Sequence, residues 1–302
     1  MPFFSVLVVN WCSGPWLSRC LDALERQTWR DFEIIVVDNG STDGSAAAAD
    51  GRSGVTLIEA GANLGFAAGN NRAAARAGGR WLVLLNPDAV AEPDWLAMLA
   101  EGIERHPWAA VFGSTQLSWD DPGVLDGVGD AYHASGLAWR AGIGHQAAAI
   151  PPDYETFAAC AAAAAIRADA FAEAGGFDES YFCYFEDVDL CFRLRLLGHR
   201  VVQLERARVR HAGSASSGRR GDFAVFHGTR NRMWTFVKDM PGPLVWPLLP
   251  LHALMTAVML VRAVPMGVFP ATWRGVVEGV RGLPAVLASR RRAQASRRLG
   301  CG

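Results

Sequence analysis

The chain has almost no lysine and lacks the cysteine spacings of metal sites. Lys238 is the single lysine among 29 basic residues. The six cysteines form no C-x-x-C pair, so we expect reduced thiols rather than a disulfide framework. Charged residues make up 20% of the chain and the net charge is −1, which excludes a disordered chain and a globally basic nucleic-acid-binding protein.

The N-terminal region also lacks a secretion signal and two common nucleotide-binding loops. No basic residue precedes its first apolar run, residues 3–9, and Asn10 ends that run, which indicates a core strand rather than a signal peptide. The next loop, residues 10–14, has no G-x-G-x-x-G, which excludes a dinucleotide-binding dehydrogenase. It also has no lysine or arginine, which counts against a nucleotidyltransferase without excluding it.

Short apolar runs alternate with amphipathic stretches through most of the chain. Strands are predicted at residues 3–9, 32–37, 55–58, 81–85, 109–112, 157–166 and 200–204. Helices are predicted after Pro15, from Pro93, and over residues 167–174 and 187–197. This order predicts an α/β fold with a mostly parallel central sheet and helices on both faces. Residues 116–150 lack periodicity and are predicted to be irregular.

The C-terminal segment differs from the rest in composition. Residues 240–261 carry no formal charge, but four prolines interrupt a run close to the ~20 residues that cross a bilayer. From Arg274 onward seven arginines accompany one glutamate. We therefore predict that residues 239–302 form an apolar and basic tail that lies on a membrane and is attracted to anionic lipid. The alternative is a soluble helix pair packed on the body of the protein.

Four polar clusters stand just after predicted strands or open predicted helices. Because ligands of open α/β sheets bind beyond the carboxyl ends of the strands, this placement indicates one shared cleft. In the first cluster, Asp38 can accept a hydrogen bond from a base or a ribose, and Gly40 permits a tight turn. The second, residues 63–71, opens a helix whose N–H groups suit an anionic or polar ligand. For the first cluster taken alone, an ordinary loop is the simpler interpretation.

The third cluster is Asn86-Pro87-Asp88. A divalent cation that bridges two phosphates prefers hard oxygen ligands, and Asp88 can supply one on this proline-stiffened turn. His211 follows a later predicted strand, and its neutral imidazole can complete such a site. The alternatives are a helix cap for Asp88 and a structural role for His211.

The fourth cluster contains Glu186, Asp187 and Asp189, three carboxylates in four residues. Their mutual repulsion raises pKa values, and a carboxylate beside an acceptor hydroxyl can serve as a general base. Asp189 instead has the spacing of an i,i+4 pair with Arg193, and Asp187 has the position of a helix N-cap. The pattern alone does not separate a base from a structural carboxylate.

Taken together, the clusters resemble family 2 glycosyltransferases of the GT-A fold, most of all the bacterial rhamnosyltransferase-like members. The resemblance covers residues 5–241, and the order and spacing of its motifs are more specific than any single motif. These motifs are residues 8–11, 38–43, 63–66, 69–71, 85–88, 176–179 and 185–190, with His211.

The resemblance implies an inverting glycosyltransferase that uses a nucleoside-diphosphate-sugar donor. It implies that the donor is bound by Val9, Asn10, Asp38, Gly40, Asn70, Asn86 and Asp88. Asp88 and His211 are expected to hold Mg²⁺ or Mn²⁺, and Asp187 is the expected catalytic base, with Glu186 as the other candidate. Asn86 stands where the family carries the first acid of its DxD motif, so this site has one negative charge less.

The resemblance also implies an organisation and a location. Residues 1–238 are expected to form the GT-A domain, with a donor half at 1–115 and an acceptor half at 116–238, followed by the tail at 239–302. The donor is expected to be dTDP-rhamnose or a UDP-hexose, and the acceptor a polyprenyl-linked glycan or polysaccharide of the cell surface. The protein is expected on the cytoplasmic face of the inner membrane, attached peripherally. A catalytically inactive nucleotide-sugar-binding subunit and a nucleotidyltransferase are the alternatives.

Overall fold

The strands of the computed structural model, which describes residues 1–213 and 221–298, build a large mixed sheet and a small separate hairpin. The sheet strands are β1 (Phe4–Asn10), β2 (Phe32–Asp38), β3 (Val55–Glu59), β4 (Trp81–Leu85), β5 (Ala89–Ala91), β6 (Val111–Ser118) and β7 (Leu125–Gly127). They continue with β10 (Tyr154–Glu155), β11 (Ala163–Arg167) and β12 (Val201–His211), whereas β8 (Asp130–Tyr132) and β9 (Ala138–Arg140) form the hairpin.

The sheet order brings the ends of distant strands to one edge. Strands β3, β2, β1 and β4 are parallel neighbours. Strand β11 lies antiparallel between β4 and β6, and β12 is parallel to β6. The carboxyl ends of β1, β2, β4 and β12 therefore lie along the same edge of the sheet, where an open α/β sheet binds its ligands.

Helices cover both faces of the sheet, as predicted. Helices α1 (Trp16–Glu25) and α3 (Trp95–Arg105) pack on one face, through residues such as Leu17 and Leu99. Helices α2 (Gly65–Ala74), α4 (Ala168–Glu173) and α5 (Glu186–Leu196) pack on the other, through Ala67, Phe171 and Leu190. Burial of these apolar stripes, at ~25 cal/mol per Å², stabilises the layers.

Two predictions about the chain after residue 115 were wrong. Residues 116–150 are not irregular, because they include the end of β6 and strands β7, β8 and β9. The alanine-rich strand predicted at 157–166 begins only at Ala163. An alanine run has no alternation of apolar and polar residues that would mark where a strand begins. Residues 158–162 lie in the loop before β11.

The C-terminal helices divide into a packed group and an exposed one. The helices are α6 (Asp222–Asp239), α7 (Gly242–Ala263), α8 (Phe269–Arg281) and α9 (Leu283–Ala295). Trp234 Nε1 of α6 donates a hydrogen bond to Gly279 O of α8 (3.0 Å), and Arg290 Nη1 of α9 donates one to Val237 O of α6 (2.7 Å). Helix α7 is mostly exposed, and within the described residues it alone is long and apolar enough to cross a bilayer.

Candidate active site

A cleft of about 920 Å³ opens at the carboxyl edge of the sheet. It is bounded by the loops that follow β1, β2, β4 and β12, by the 160–162 loop, and by residues 182–188 at the start of α5. The predicted site residues that line it are Val9, Asn86, Asp88, Glu186, Asp187 and His211. Residues 88, 187 and 211, far apart in the chain, therefore meet in one cleft.

Asp38 and Gly40 of the first predicted cluster lie beneath the cleft wall, whereas Asn39 lines it. Asn10 Nδ2 donates to Asp38 Oδ1 (2.8 Å), and Ser41 N donates to Asp38 Oδ2 (3.0 Å). Gly40 has φ +70°, and a Cβ there would lie 3.1 Å from the Ala62 backbone, so glycine fits this turn. Asn10, Asp38 and Gly40 thus shape the loop that presents Asn39 to the cleft, and donor contact by Asp38 stays a prediction.

Asn70 is not brought to the cleft. Its side chain is buried in α2, where Nδ2 donates to Phe66 O one turn earlier (3.0 Å). The second cluster reaches the cleft through Asn63, Gly65 and Phe66 instead. The expectation that Asn70 lines the donor site was therefore wrong. Its amide binds the carbonyl four residues earlier in the same helix and does not point into the cleft.

Asp88, His211 and Asp126 form a chain of polar groups at the floor of the cleft. His211 Nδ1 lies 2.8 Å from Asp126 Oδ2, which also accepts a hydrogen bond from Arg140 Nη1 (2.9 Å). His211 Nε2 lies 3.3 Å from Asp88 Oδ1 but has no well-aligned hydrogen bond among the described residues. A histidine that is fixed through Nδ1 by a carboxylate and presents Nε2 beside a second carboxylate is typical of a metal ligand.

Those residues fit a divalent cation. Asp88 offers an oxygen and His211 an imidazole nitrogen, both buried and both on the cleft wall. Asn86, two residues before Asp88, has a buried Oδ1 without a hydrogen-bond partner among the described residues. Buried polar atoms normally find partners, so these atoms indicate a place for a polar ligand.

Glu186 and Asp187 lie where α5 begins, at the cleft wall beside the 160–162 loop. Asp187 Oδ2 accepts a hydrogen bond from Ala161 N (3.1 Å). Burial, together with the charge of Asp187, raises the pKa of Glu186, and burial raises the pKa of Asp187. A carboxylate with a raised pKa takes up a proton more readily near neutral pH, which suits a general base.

Asp189, two residues after Asp187, faces away from the cleft. Its Oδ2 accepts from Arg193 Nη2 (2.7 Å), as the spacing predicted, and its Oδ1 lies 2.6 Å from Lys238 Nζ of α6. Although burial acts to raise it, the charges of Arg193 and Lys238 hold the pKa of Asp189 below its ordinary value. The single lysine is therefore part of a buried charge network behind the cleft.

Asp130 and Arg140 are site residues that the sequence did not reveal. Both line the cleft from the β8–β9 hairpin. Burial and the charge of Asp187 raise the pKa of Asp130 to about 7. A carboxylate oxygen of Asp130, Sγ of Cys160 and a carboxylate oxygen of Asp187, all atoms of the kind that bind metal ions, lie within 4.8 Å of one another. The sequence around Asp130 and Arg140 has no periodic pattern, and no motif spacing predicted that this hairpin lies against α5.

The loop before Glu186 has an unusual backbone. Phe182, Tyr184 and Phe185 have φ of 64°, 70° and 69°, in the left-handed region that favours glycine. Each such residue costs about 1–3 kcal/mol and persists only where the surroundings hold it. All three line the cleft, so the strain lies beside the candidate base.

Solved structures place this fold among the GT-A glycosyltransferases. A mannosyltransferase from Pyrobaculum calidifontis, solved with GDP-Man and Mn²⁺, matches with a TM-score of 0.58 at 18% identity, covering 98% of this chain and 86% of that one. GalNAc-T7, solved with UDP, GalNAc and Mn²⁺, matches with a TM-score of 0.61 at 17% identity, covering 79% and 48%. The fold is GT-A, with a helical C-terminal region added.

The family follows from the sequence comparisons. The model of Glycosyl transferase family 2 matches residues 5–175. N-acetylglucosaminyl-diphospho-decaprenol L-rhamnosyltransferase of Mycobacterium tuberculosis is 31% identical over 245 residues, which cover 71% of this chain and 77% of that protein. The chain belongs to glycosyltransferase family 2, and its similarity to a rhamnosyltransferase confirms the resemblance drawn from the motifs.

Proposed function

We propose that this glycosyltransferase moves L-rhamnose from dTDP-rhamnose to a hydroxyl of a polyprenyl-diphosphate-linked sugar, with inversion at the anomeric carbon. The observation that carries the proposal is the meeting of Asp88, His211 and Asp187 in one cleft. The choice of sugar and acceptor is supported by the mycobacterial relative, whose name gives both. A UDP-hexose is the alternative donor.

The donor side of the proposed reaction is the floor of the cleft. Asp88 and His211 would hold Mg²⁺ or Mn²⁺, whose charge offsets the negative charge that develops on a departing diphosphate. Asn86 Oδ1 accepts a hydrogen bond from the nucleoside in this scheme. Val9 and Asn39 form the adjacent wall, with the Asn10–Asp38 pair fixing the loop behind it.

The acceptor side is the wall formed by α5. Asp187 takes the proton from the acceptor hydroxyl as that oxygen attacks the anomeric carbon from the face opposite the diphosphate. A single displacement with a single base inverts the anomeric centre, whereas retention would need a carboxylate nucleophile. Glu186 lies next to Asp187 with its Oε2 unpartnered among the described residues, so it is the second candidate for the base.

A membrane surface fits the proposed acceptor. Helix α7 exposes Trp246, Leu254 and Val261, and the basic residues Arg262, at the end of α7, and Arg274, in α8, are exposed too. Apolar side chains bordered by arginines suit an interfacial position on a bilayer with anionic lipids. Such a position would bring the cleft to an acceptor held in the bilayer, on the cytoplasmic face where nucleotide sugars occur.

Turnover of a panel of nucleotide sugars tests the proposal. The full chain is incubated with Mn²⁺, vesicles that contain polyprenyl-diphosphate-N-acetylglucosamine, and one donor at a time. We expect dTDP-rhamnose to give product of inverted configuration by nuclear magnetic resonance, and the Asp187→Asn variant to form it about 10³-fold more slowly. Donor binding without turnover of any donor would indicate the inactive subunit instead. In a parallel incubation with a sugar phosphate and a nucleoside triphosphate, formation of a nucleotide sugar with release of diphosphate would indicate the nucleotidyltransferase.

A further inference from the structure

We propose that Asn231 of α6 is a positioning residue that clamps the strained loop before Glu186 and Asp187 and thereby sets the position of the base. The proposal rests on the proposed function. Asn231 does not line the cleft, so its effect on the reaction is transmitted through backbone carbonyls. Those carbonyls belong to the clamped loop, defined here as residues 181–185.

The side-chain amide of Asn231 is hydrogen-bonded to three backbone carbonyl groups of the clamped loop. Nδ2 donates to Tyr181 O (3.0 Å), Cys183 O (2.9 Å) and Tyr184 O (2.6 Å). Oδ1 accepts from Arg230 Nε (2.8 Å), so the orientation of the amide is fixed on both sides. Asn231 is fully buried, and removal of its amide would take this donor from the carbonyls of Cys183 and Tyr184, whereas Tyr181 O also accepts from Arg230 Nη2 (2.8 Å).

The clamped loop is also held from the opposite side. Phe182 O, which Asn231 does not contact, accepts hydrogen bonds from Phe66 N (2.7 Å) and Ala67 N (3.2 Å) at the start of α2. A Cβ on Gly65 would lie 2.6 Å from Phe182 O, so this contact needs a glycine. The clamped loop is thus hydrogen-bonded on one side to α2, at the donor side of the cleft, and on the other side to α6.

Two opposed attachments explain how the backbone stays in its unusual conformation. Three of the four non-glycine residues with positive φ in the described chain are Phe182, Tyr184 and Phe185. Relaxation of any of them rotates the peptide that leads into Glu186 and shifts the first turn of α5. Since a displacement of ~1 Å at a reacting group can cost about 100-fold in rate, the clamp bears directly on turnover.

The experiment compares two variants of Asn231 with a control on the same helix face. Asn231→Asp keeps the shape and the acceptor for Arg230 but removes the donors, and Asn231→Ala removes both. Thr235→Val is the control, because Thr235 is equally buried one turn later and contacts the hydroxyl of Tyr181 (3.1 Å) rather than the loop backbone.

We expect turnover of dTDP-rhamnose to fall about 100-fold in Asn231→Asp and Asn231→Ala. Binding of dTDP with Mn²⁺, measured by calorimetry, should keep its stoichiometry and its Kd within about twofold, since the floor of the cleft is untouched. Thr235→Val should keep wild-type turnover. Equal turnover in all three variants, or a loss of dTDP-binding sites that parallels the loss of turnover, overturns the proposal.

Hydrogen exchange of residues 181–189 provides a readout that needs no activity. We expect faster exchange of this segment in both Asn231 variants than in Thr235→Val, with the sheet amides unchanged. Unaltered exchange overturns the clamp whatever the kinetics. If the wild-type protein transfers no sugar, the proposed function fails, while the exchange measurement still decides whether Asn231 holds the loop.

Discussion

The two sides of the first turn of α5 carry carboxylates in opposite electrostatic settings. On the cleft side, Glu186 and Asp187 have no counter-ion in direct contact among the described residues, and burial raises the pKa of each. On the rear side, two cations surround Asp189 and its pKa is lowered. A single helix turn thus carries groups that can exchange protons on one side and a group that stays charged on the other.

That difference shows how a single helix can be both anchored and reactive. The rear network fixes α5 against α6, because a buried charge with hydrogen-bonded partners has one preferred geometry. The cleft side keeps carboxylates that are costly to ionise, a state that persists only because the rest of the helix is held.

Removal of the base should separate activity from stability on the cleft side. We expect Asp187→Asn to lower turnover by about 10³-fold, within the range lost with a general base. Its free energy of unfolding should stay level or rise, because a carboxylate with a raised folded-state pKa is costly to keep ionised at neutral pH. Turnover of dTDP-rhamnose and chemical denaturation measure the two quantities, and equal losses in both would contradict the separation.

Removal of the lysine should affect the rear side in the opposite way. Lys238→Met leaves Asp189 with Arg193 alone and takes the ion pair from Asp178 (2.6 Å). We expect the free energy of unfolding to fall by about 3 kcal/mol, as when one partner of a buried pair is lost. Urea denaturation measures this loss. Arg281→Met is the control, because it removes a cation from an exposed ion pair with Glu278. A stable variant would show that the network is not structural.

Neutralising Asp130 should change the pH dependence of turnover, because it changes the charge beside Asp187. Turnover needs ionised Asp187, and a neighbouring negative charge disfavours that ionisation. Asp130→Asn removes this charge, so the pKa of Asp187 falls and the acid limb of kcat/KM moves to lower pH. A pH profile of wild type and variant checks the sign, and a limb that moves to higher pH would contradict it.

The exposed face of α7 gives the smallest expected effect. Trp246 and Leu254 are 74% and 59% exposed. We expect Trp246→Ser with Leu254→Ser to lower binding to phosphatidylglycerol vesicles about fivefold, because apolar contact is lost. Co-sedimentation measures the bound fraction, with Trp108→Ser on the body of the protein as control. Unchanged sedimentation of the double variant would remove α7 from the membrane contact.

Much of the fold could be predicted from the sequence because local signals mark it. The apolar runs of β1, β2 and β4 and the polar residues that follow them predicted both the sheet and the edge where Asn86 and Asp88 lie. The pair of Asp189 with Arg193 was also predictable, since i,i+4 spacing is local. These features depend on neighbours within one element.

The rest depends on contacts between distant segments. Lys238 meets Asp189 across 49 positions of sequence, and Asp130 reaches Asp187 from a hairpin that was predicted to be irregular. Asn70 was predicted in the cleft on a motif, but its position on α2 turns it inward. The clamp by Asn231 needed the backbone conformation of residues 181–185, which no side-chain pattern reveals.

The most direct test of the account is the location of a bound donor product. Crystals grown with dTDP and Mn²⁺ give an anomalous signal for the metal and density for the diphosphate. The account predicts the metal peak in contact with Asp88 and His211, with the diphosphate beside it and the Asp187 side of the cleft open for the sugar. A metal peak and nucleotide elsewhere on the protein would contradict it.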